Sequence, residues 1–229
     1  MKIGIVGMDL PEGKVKYHDH IVAELETKFQ PKKTSFFFAE FVKDKIAECD
    51  AIAVLKPAAL DLFILDMEKL EQRRDRAETE AEKAVMARAL ALLEQETPLC
   101  DGVFDEAEDS MIRAVSPLSV KPTVLFNETP GTDTVIKAAL DKAGLSFFYT
   151  AGKPEVRSWL IRKGADIVTC AGKIHTDLAR GFIRADIVKF KDLMTAHNLA
   201  DAKAKGLVKT VERTYLIEEE DVIEIKFSV

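Results

Sequence analysis

Short apolar runs alternate with amphipathic stretches over the first 143 residues of the chain. The apolar runs predict buried strands at residues 2–6, 34–42, 51–55 and 122–126. The stretches between them predict helices at residues 15–29, 43–49, 104–115 and 132–143. Apolar strands separated by helices are typical of a parallel sheet covered by helices, so this part is predicted to be an α/β domain.

A long stretch of strong helix formers interrupts this alternation. Residues 58–96 contain no Gly, Pro or Asn, and one helix of that length would be roughly 58 Å long. Its flanks carry apolar residues, whereas its middle, residues 71–83, is almost wholly polar. The pattern predicts an antiparallel helical hairpin, a coiled-coil arm inserted at about 58–96, with its bend near 76–82. The alternative is one long helix packed on a partner.

The pattern changes after Ala143, where Gly144 follows a predicted helix as glycine commonly does at a helix end. Strands are predicted at residues 145–150, 155–164, 182–190, 213–218 and 221–227, with small helices near 191–205. A mixture of strand pairs and short helices predicts a small α+β domain over residues 144–229. The first domain is therefore expected to span residues 1–143.

Composition excludes several classes of protein. The chain is 47% hydrophobic and 31% charged, and it has no apolar run of the ~18 residues that a membrane span needs. Its three cysteines are scattered without C-x-x-C spacing, and its four histidines form no metal-binding pattern. These features predict a cytoplasmic protein without a disulfide framework, a metal site or a membrane association.

Charge is distributed unevenly between the two predicted domains. Residues 1–142 hold 19 Lys and Arg against 27 Asp and Glu, a net charge of −8, whereas residues 143–229 hold 14 against 12, a net charge of +2. A mildly basic domain tolerates contact with RNA. An ordinary solvated surface explains the same charge.

The loop after the first strand has some features of a phosphate loop, whose pattern is G-x-x-x-x-G-K-[ST]. Gly7, Gly13 and Lys14 match glycine and lysine positions, but five residues separate the glycines, and Val15 replaces the hydroxyl that ligates Mg²⁺. Pro11 also lacks an amide donor. The loop is therefore a structural remnant, a residual anion or nucleotide site, or an unusual hydrolase site.

The C-terminal stretch resembles a known family through five sequence blocks in the same order. They are T-A-G at 150–152, E-V-R-x-W at 155–159, I-R-K-G at 161–164, I-H-T-D at 174–177 and G-F-I-R-A at 181–185. These blocks are similar to the TGS domain that closes YchF/Obg-like nucleotide-binding proteins, which are related to TRAFAC P-loop GTPases. The resemblance implies a β-grasp, ubiquitin-like fold for residues 144–229.

The N-terminal part resembles the same family more weakly. M-K-I-G-I-V-G is similar to the family's opening strand, and L-D-L-F-I-L-D-M-E-K-L-E-Q-R is similar to the first helix of its coiled-coil arm. The family's base-reading N-x-x-E is contracted here to adjacent Asn127 and Glu128, and no D-x-x-G follows a strand. The chain thus looks like a shortened member with a degenerate phosphate loop.

Because Val15 lacks the hydroxyl ligand and no D-x-x-G is present, we expect a member of this family that has lost hydrolysis and acts as a binding or regulatory module, with no catalytic residue and no metal ligand. A nucleotide, GTP or ATP, would be held without Mg²⁺-dependent hydrolysis. The candidate nucleotide or anion site consists of Gly7, Gly13, Lys14, Asn127 and Glu128. The alternative is a weak GTPase or ATPase that uses an atypical loop.

By family analogy, the expected partner is the ribosome or a structured RNA, bound through the TGS domain. The candidate contact residues are Arg157, Arg162, Lys163, Arg180 and Arg184. Trp159 and Phe182 are either core residues or aromatic platforms beside this patch. His175 to Asp177 is interpreted as a turn or helix cap, and the helical arm could contact a protein partner.

Overall fold

Residues 1–228, which the computed structural model describes, form two units whose boundaries do not follow the order of the chain. Met1–Val15 and Phe38–Ala143 make up the first unit, and Lys16–Phe37 joins the chain from Gly144 onward in the second. The sequence pattern predicts that residues 16–37 belong to the first domain. The structure instead packs this segment, which carries one helix and one strand, with the C-terminal part.

The first unit is built on a five-stranded sheet in the order β2-β4-β1-β5-β6. Its strands are β1 (Lys2–Val6), β2 (Gly13–Lys16), β4 (Phe38–Val42), β5 (Ala51–Leu55) and β6 (Thr123–Phe126). The strands β4, β1, β5 and β6 are parallel neighbours, as the alternation of strands and helices predicts. Ala51 to Val54 are fully buried, which explains the uninterrupted apolar run.

Two helices, α2 (Lys56–Asp75) and α3 (Glu80–Glu94), occupy the long helix-forming stretch. The break at residues 76–79 coincides with the charged middle, where Thr79 caps α3 by accepting a hydrogen bond from the Glu82 amide. Both helices contribute to one apolar core that includes Ile52 and Val54 of β5, and α2 contacts β5 and β6 directly. No helix in residues 1–228 is long and apolar enough to cross a membrane.

A fully buried carboxylate fixes the position of α2. Asp66 accepts hydrogen bonds from the amides of Leu118 at 2.6 Å and Ser119 at 2.7 Å. These amides start a short 3-10 helix, Leu118–Val120, that leads into β6. The same region of the unit contains α4 (Glu106–Ala114), and α5 (Thr132–Lys142) packs on β5 and β6. Asp66 therefore anchors the loop that positions the last strand of the sheet.

The second unit is built on a six-stranded sheet in the order β10-β9-β11-β7-β8-β3. Its strands are β3 (Lys33–Ser35), β7 (Leu145–Ala151), β8 (Glu155–Arg162), β9 (Phe182–Lys189), β10 (Lys209–Val211) and β11 (Asp221–Phe227). Neighbouring strands are antiparallel except for two pairs: β11 with β7, and β3 with β8. The N-terminal strand β3 thus extends the sheet at the β8 edge.

Helices cover both faces of this sheet. One face packs against α6 (Ile167–Ile174) and α7 (Thr176–Arg180) through a core that includes Phe148 and Ile161. The helix α1 (His20–Phe29) packs against β7, β8 and the short helix α8 (Phe190–Thr195). A further short helix, α9 (Leu199–Ala204), follows α8.

Asp19 joins α1 to the sheet. Its side chain caps the helix by accepting a hydrogen bond from the Ile21 amide at 2.9 Å, and it also accepts one from the Tyr149 hydroxyl at 2.9 Å. Both side chains are buried. Burial raises the pKa of Asp19, against the opposing effect of the Tyr149 hydrogen bond, and burial together with the nearby Asp19 raises the pKa of Tyr149.

Four predicted elements differ from the observed ones. The predicted helix at residues 15–29 begins only at His20, because Gly13–Lys16 pairs in the first sheet and Asp19 caps the helix. The predicted strand at 34–42 divides into β3 and β4, which enter different sheets. The expected helix at 43–49 is only a 3-10 turn, Ile46–Glu48. Residues 213–218 form no regular strand, because Tyr215 and Ile217 instead bond to the backbone around α6.

Replacing Asp66 with asparagine is expected to lower the free energy of unfolding of the first unit by about 2–3 kcal/mol. An amide nitrogen would then face one of the two buried amide donors, which would lose its acceptor. Asp61→Asn, an exposed change on the same helix, serves as the control and should alter stability by about 0.5 kcal/mol or less. Urea unfolding followed by far-UV circular dichroism measures both; a decrease below about 1 kcal/mol for Asp66→Asn would contradict the anchoring role.

Replacing Trp159 with alanine is expected to destabilise the second unit by about 2–3 kcal/mol, below the cost of a fully buried aromatic residue. The indole is half-buried, stacks on Phe148 with ring centroids 6.1 Å apart, and donates a hydrogen bond to the Thr150 hydroxyl at 3.0 Å. The control Trp159→Phe keeps an aromatic ring and should cost less. Calorimetric unfolding of both variants tests this, and an unchanged transition for Trp159→Ala would favour an exposed aromatic platform.

Candidate functional site

Gly7 directly follows β1 and has a backbone conformation that favours glycine, with φ at +72°. A Cβ atom added to it would lie 2.5 Å from the Cβ atom of Ala58, in the first turn of α2. Glycine is therefore required both for the turn and for the close approach of this turn to the helix. Pro57, also in the first turn of α2, has no amide hydrogen to offer a phosphate.

Gly13 and Lys14 lie in a different setting from the one that a phosphate loop requires. Both belong to the edge strand β2, and the next helix, α1, starts at His20 within the second unit. A phosphate loop places its glycines and lysine at a helix N-terminus, where successive amides converge on the anion. Residues 1–16 of the structure lack that strand–loop–helix arrangement, and Lys14 is exposed.

Asn127 and Glu128 directly follow β6, and both are exposed. The strand β6 is separated from β1 by β5, and all three strands are parallel. The pair therefore lies at the same carboxyl edge of the sheet as Gly7, the edge at which ligands bind in open α/β sheets. Gly7, Asn127 and Glu128 therefore lie at one edge of the sheet, although the chain does not form a phosphate loop there.

A cavity of about 610 Å³ lies at this edge and was not anticipated from the sequence. It is lined mainly by apolar side chains, among them Met8, Leu62 and Leu65, and its charged residues are Asp9, Lys43 and Asp61. Two carboxylates and one ammonium group do not form a phosphate site. Met8 and Asp9 follow β1, and Lys43 follows β4. The segments that follow these two strands were therefore the sequence signal that could have located the cavity.

The five basic residues predicted to contact RNA fall into two groups in the second unit. Lys163 forms an ion pair with Glu219 at 3.2 Å, Arg180 pairs with Asp177 at 3.0 Å, and the Arg157 guanidinium lies 3.8 Å from the centroid of the Trp159 ring. Arg162 and Arg184 are exposed, and no ion pair involves either of them within residues 1–228. Among the five predicted residues, these two arginines are the most available to a phosphate group.

The acidic run at residues 218–221 is largely neutralised by lysines. Lys189 contacts Glu218 and the fully buried Asp221, each at 2.8 Å. Burial lowers the pKa of Lys189, but hydrogen bonds to Asp221 and Glu218 outweigh this effect and raise it. Tyr215 donates a hydrogen bond to Asp221 at 3.0 Å. This run therefore forms part of the framework of the unit.

His175 caps α7, since its Nδ1 atom accepts a hydrogen bond from the Asp177 amide at 3.1 Å. Burial is the main cause that raises the pKa of each cysteine thiol, and it raises that of Cys170 to about 12, so these thiols are poor nucleophiles. No cluster of three or more potential metal ligands occurs within residues 1–228.

Comparisons with known proteins find similar sequences for the C-terminal part of the chain. Residues 145–228 match the family described as YchF-GTPase_C, a protein of unknown function (DUF933). The chain is 42% identical over 99 residues to the ribosome-binding ATPase YchF of Bacillus subtilis. It is 43% identical over 94 residues to the Obg-like ATPase 1 of Gallus gallus. These segments cover 43% and 41% of this chain.

The chain spans only about a quarter of the length of these curated relatives, 27% of the Bacillus protein and 24% of the Gallus protein. A solved structure of the Schizosaccharomyces pombe YchF GTPase has the same overall fold, with a TM-score of 0.75 over 99% of this chain and 97% of that chain. Its sequence identity is 18%, so this likeness concerns the fold. Residues 145–228 are thus similar in sequence to the C-terminal part of YchF/Obg-like proteins.

Proposed function

We propose that this protein is a YchF-like binding module that does not hydrolyse nucleotides and associates with the ribosome or a structured RNA through its second unit. The observation that carries the first half is that Gly13 and Lys14 belong to the strand β2 and not to the N-terminus of a helix. Val15 offers no hydroxyl to Mg²⁺, and no D-x-x-G follows a strand. Without the metal, the developing phosphoryl charge would lack its main counter-charge.

The second unit is interpreted as a TGS domain with a β-grasp fold. The order β8-β7-β11-β9-β10 supports this, because a hairpin supplies the first two strands, the final strand lies parallel to the first beside it, and a helical segment joins the hairpin to β9. In this interpretation, β3 and α1 are additions to the β-grasp sheet.

Ribosome association is supported by the names of two relatives and by two arginines that form no ion pair within residues 1–228. Bacillus subtilis and Mycoplasma genitalium YchF are both called ribosome-binding ATPases, and each matches this chain over 99 residues. In the second unit, Arg162 and Arg184 present cations that no carboxylate of residues 1–228 neutralises. Phosphate groups of RNA are the complementary chemistry.

The second candidate function is nucleotide binding, with or without slow hydrolysis. It is supported by the carboxyl edge that Gly7, Asn127 and Glu128 share, and by relatives named as ATPases. GTP or ATP would then be held without a phosphate loop. The apolar lining and the two carboxylates of the cavity at this edge favour the first function over this one.

The protein is expected to show no Mg²⁺-dependent hydrolysis of ATP or GTP above background. Phosphate release is measured with the purified full chain, with and without Mg²⁺, and with Lys14→Ala as the matched variant. Calorimetry with ATP, GTP and their diphosphates measures binding separately. Steady turnover that disappears in Lys14→Ala would contradict the proposal and support the hydrolase.

Replacing Arg162 and Arg184 with glutamate is expected to weaken binding to ribosomes and to lower the salt slope by about one for each phosphate group that the variant no longer binds. The full chain is used, because a fragment that begins at Gly144 would lack α1 and β3. The control is Lys137→Glu on α5 of the first unit, which also replaces a positive charge with a negative one. Equal salt slopes for the arginine variants and the wild type would exclude this surface as the RNA-binding surface.

A further inference from the structure

One end of the six-stranded sheet contains a notch where a strand has no neighbour on one side. The strand β7 ends at Ala151, but its parallel neighbour β11 continues to Phe227. Their register pairs Val222 with Tyr149, so Glu224 lies level with Ala151, and residues 225–227 extend past the end of β7. In the structure these three residues pair with β9 only.

A cavity of about 880 Å³ occupies this notch, entirely within the second unit. One wall is β11 from Ile223 to Phe227, and the opposite wall is the turn at residues 150–155 that joins β7 to β8. Parts of α1, α6, α7 and α9 complete the lining. The notch therefore presents an open strand edge inside a formed cavity, where the next strand of the sheet would lie.

The two faces of the notch differ in chemistry because side chains alternate along β11. Ile223 and Ile225 belong to the apolar core on the α6 and α7 side, where Ile174 and Leu178 also line the cavity. Phe227 follows the same alternation and is 46% exposed. Glu224 and Lys226 point to the other face of the sheet, the face of Asp186.

Lysines outnumber carboxylates among the residues that line this cavity. Each lining carboxylate already has a lysine: Asp186 pairs with Lys203, Glu224 with Lys226, and Glu155 with Lys33. Two further lining lysines have no carboxylate partner within residues 1–228. Lys28 donates hydrogen bonds to the carbonyl oxygens of Met194 and Ala196, and Lys153 is exposed on the turn.

We propose that this notch binds an extended segment of a partner protein, which adds as a strand beside residues 225–227 of β11. An open strand edge supplies main-chain hydrogen bonds, and this addition is a recurrent mode of peptide recognition. The partner segment carries apolar side chains toward α6 and α7, and acidic side chains toward the unmatched lysines. The inference goes beyond the proposed association with RNA and does not depend on it.

The test uses the full chain and two capped hexapeptides, one of alternating glutamate and valine and one of alternating lysine and valine. Hydrogen–deuterium exchange and amide chemical shifts are measured for residues 150–155 and 223–228. The acidic peptide should slow exchange of the β11 amides and shift both segments, whereas the basic peptide should need at least a tenfold higher concentration for the same effect. Equal effects of the two peptides, or shifts elsewhere alone, would overturn the proposal.

Two variants separate the two faces of the notch. Lys153→Glu should weaken binding of the acidic peptide about fivefold by reversing one exposed charge, and Phe227→Ala should weaken it by removing apolar contact. Lys191→Glu, on an exposed lysine of the same unit outside the lining, is the control and should bind as the wild type does. Unchanged affinity for the acidic peptide in both notch variants would overturn the proposal. Ribosome binding of Lys153→Glu is measured as well, to show whether the notch acts separately from Arg162 and Arg184.

Discussion

The buried hydrogen bond between Tyr149 and Asp19 decides where the N-terminal helix lies. Asp19 is 3% exposed, and its carboxylate both caps α1 and accepts the phenol proton of a strand in the six-stranded sheet. Because a buried hydroxyl without a hydrogen-bond partner is unfavourable, α1 cannot leave this sheet without leaving the buried Tyr149 hydroxyl unpaired. The helix is thus tied to the second unit, although it precedes most of the first unit in the chain.

This attachment bears directly on nucleotide chemistry. A phosphate loop needs a helix whose N-terminal amides face the loop after β1. The first helix after that strand is α1, and it packs in the other unit; between them the chain forms the edge strand β2. The helix that does approach Gly7 is α2, which follows β5 and carries Pro57 in its first turn. The absence of a phosphate loop from residues 1–16 is therefore a consequence of topology as well as of the missing hydroxyl at Val15.

Local sequence patterns predicted the strands and helices well where burial is uniform. They did not predict which of the two sheets an element joins. The runs at β1, β5 and β6 and the hairpin β7–β8 follow from apolar spacing, and the break between α2 and α3 follows from the charged middle. The apolar face of α1 would look the same on either sheet, so spacing could not assign it. The aromatic run at residues 34–42 likewise contains no signal that its two ends enter different sheets.

The candidate binding residues show the same limit for electrostatics. A sum over residues 143–229 amounts to a net charge of +2, which weakly favours a polyanion, but charge pairs formed by folding determine which cations are available. Lys163, Lys189 and Lys203 are matched by carboxylates far away in sequence, whereas Arg162, Arg184 and Lys153 are not matched within residues 1–228. Because exposed charges beyond about a Debye length are screened, these local excesses matter more than the sum. A sum over the sequence therefore does not identify the cations that remain unpaired, because this depends on which carboxylates the fold brings beside each lysine and arginine.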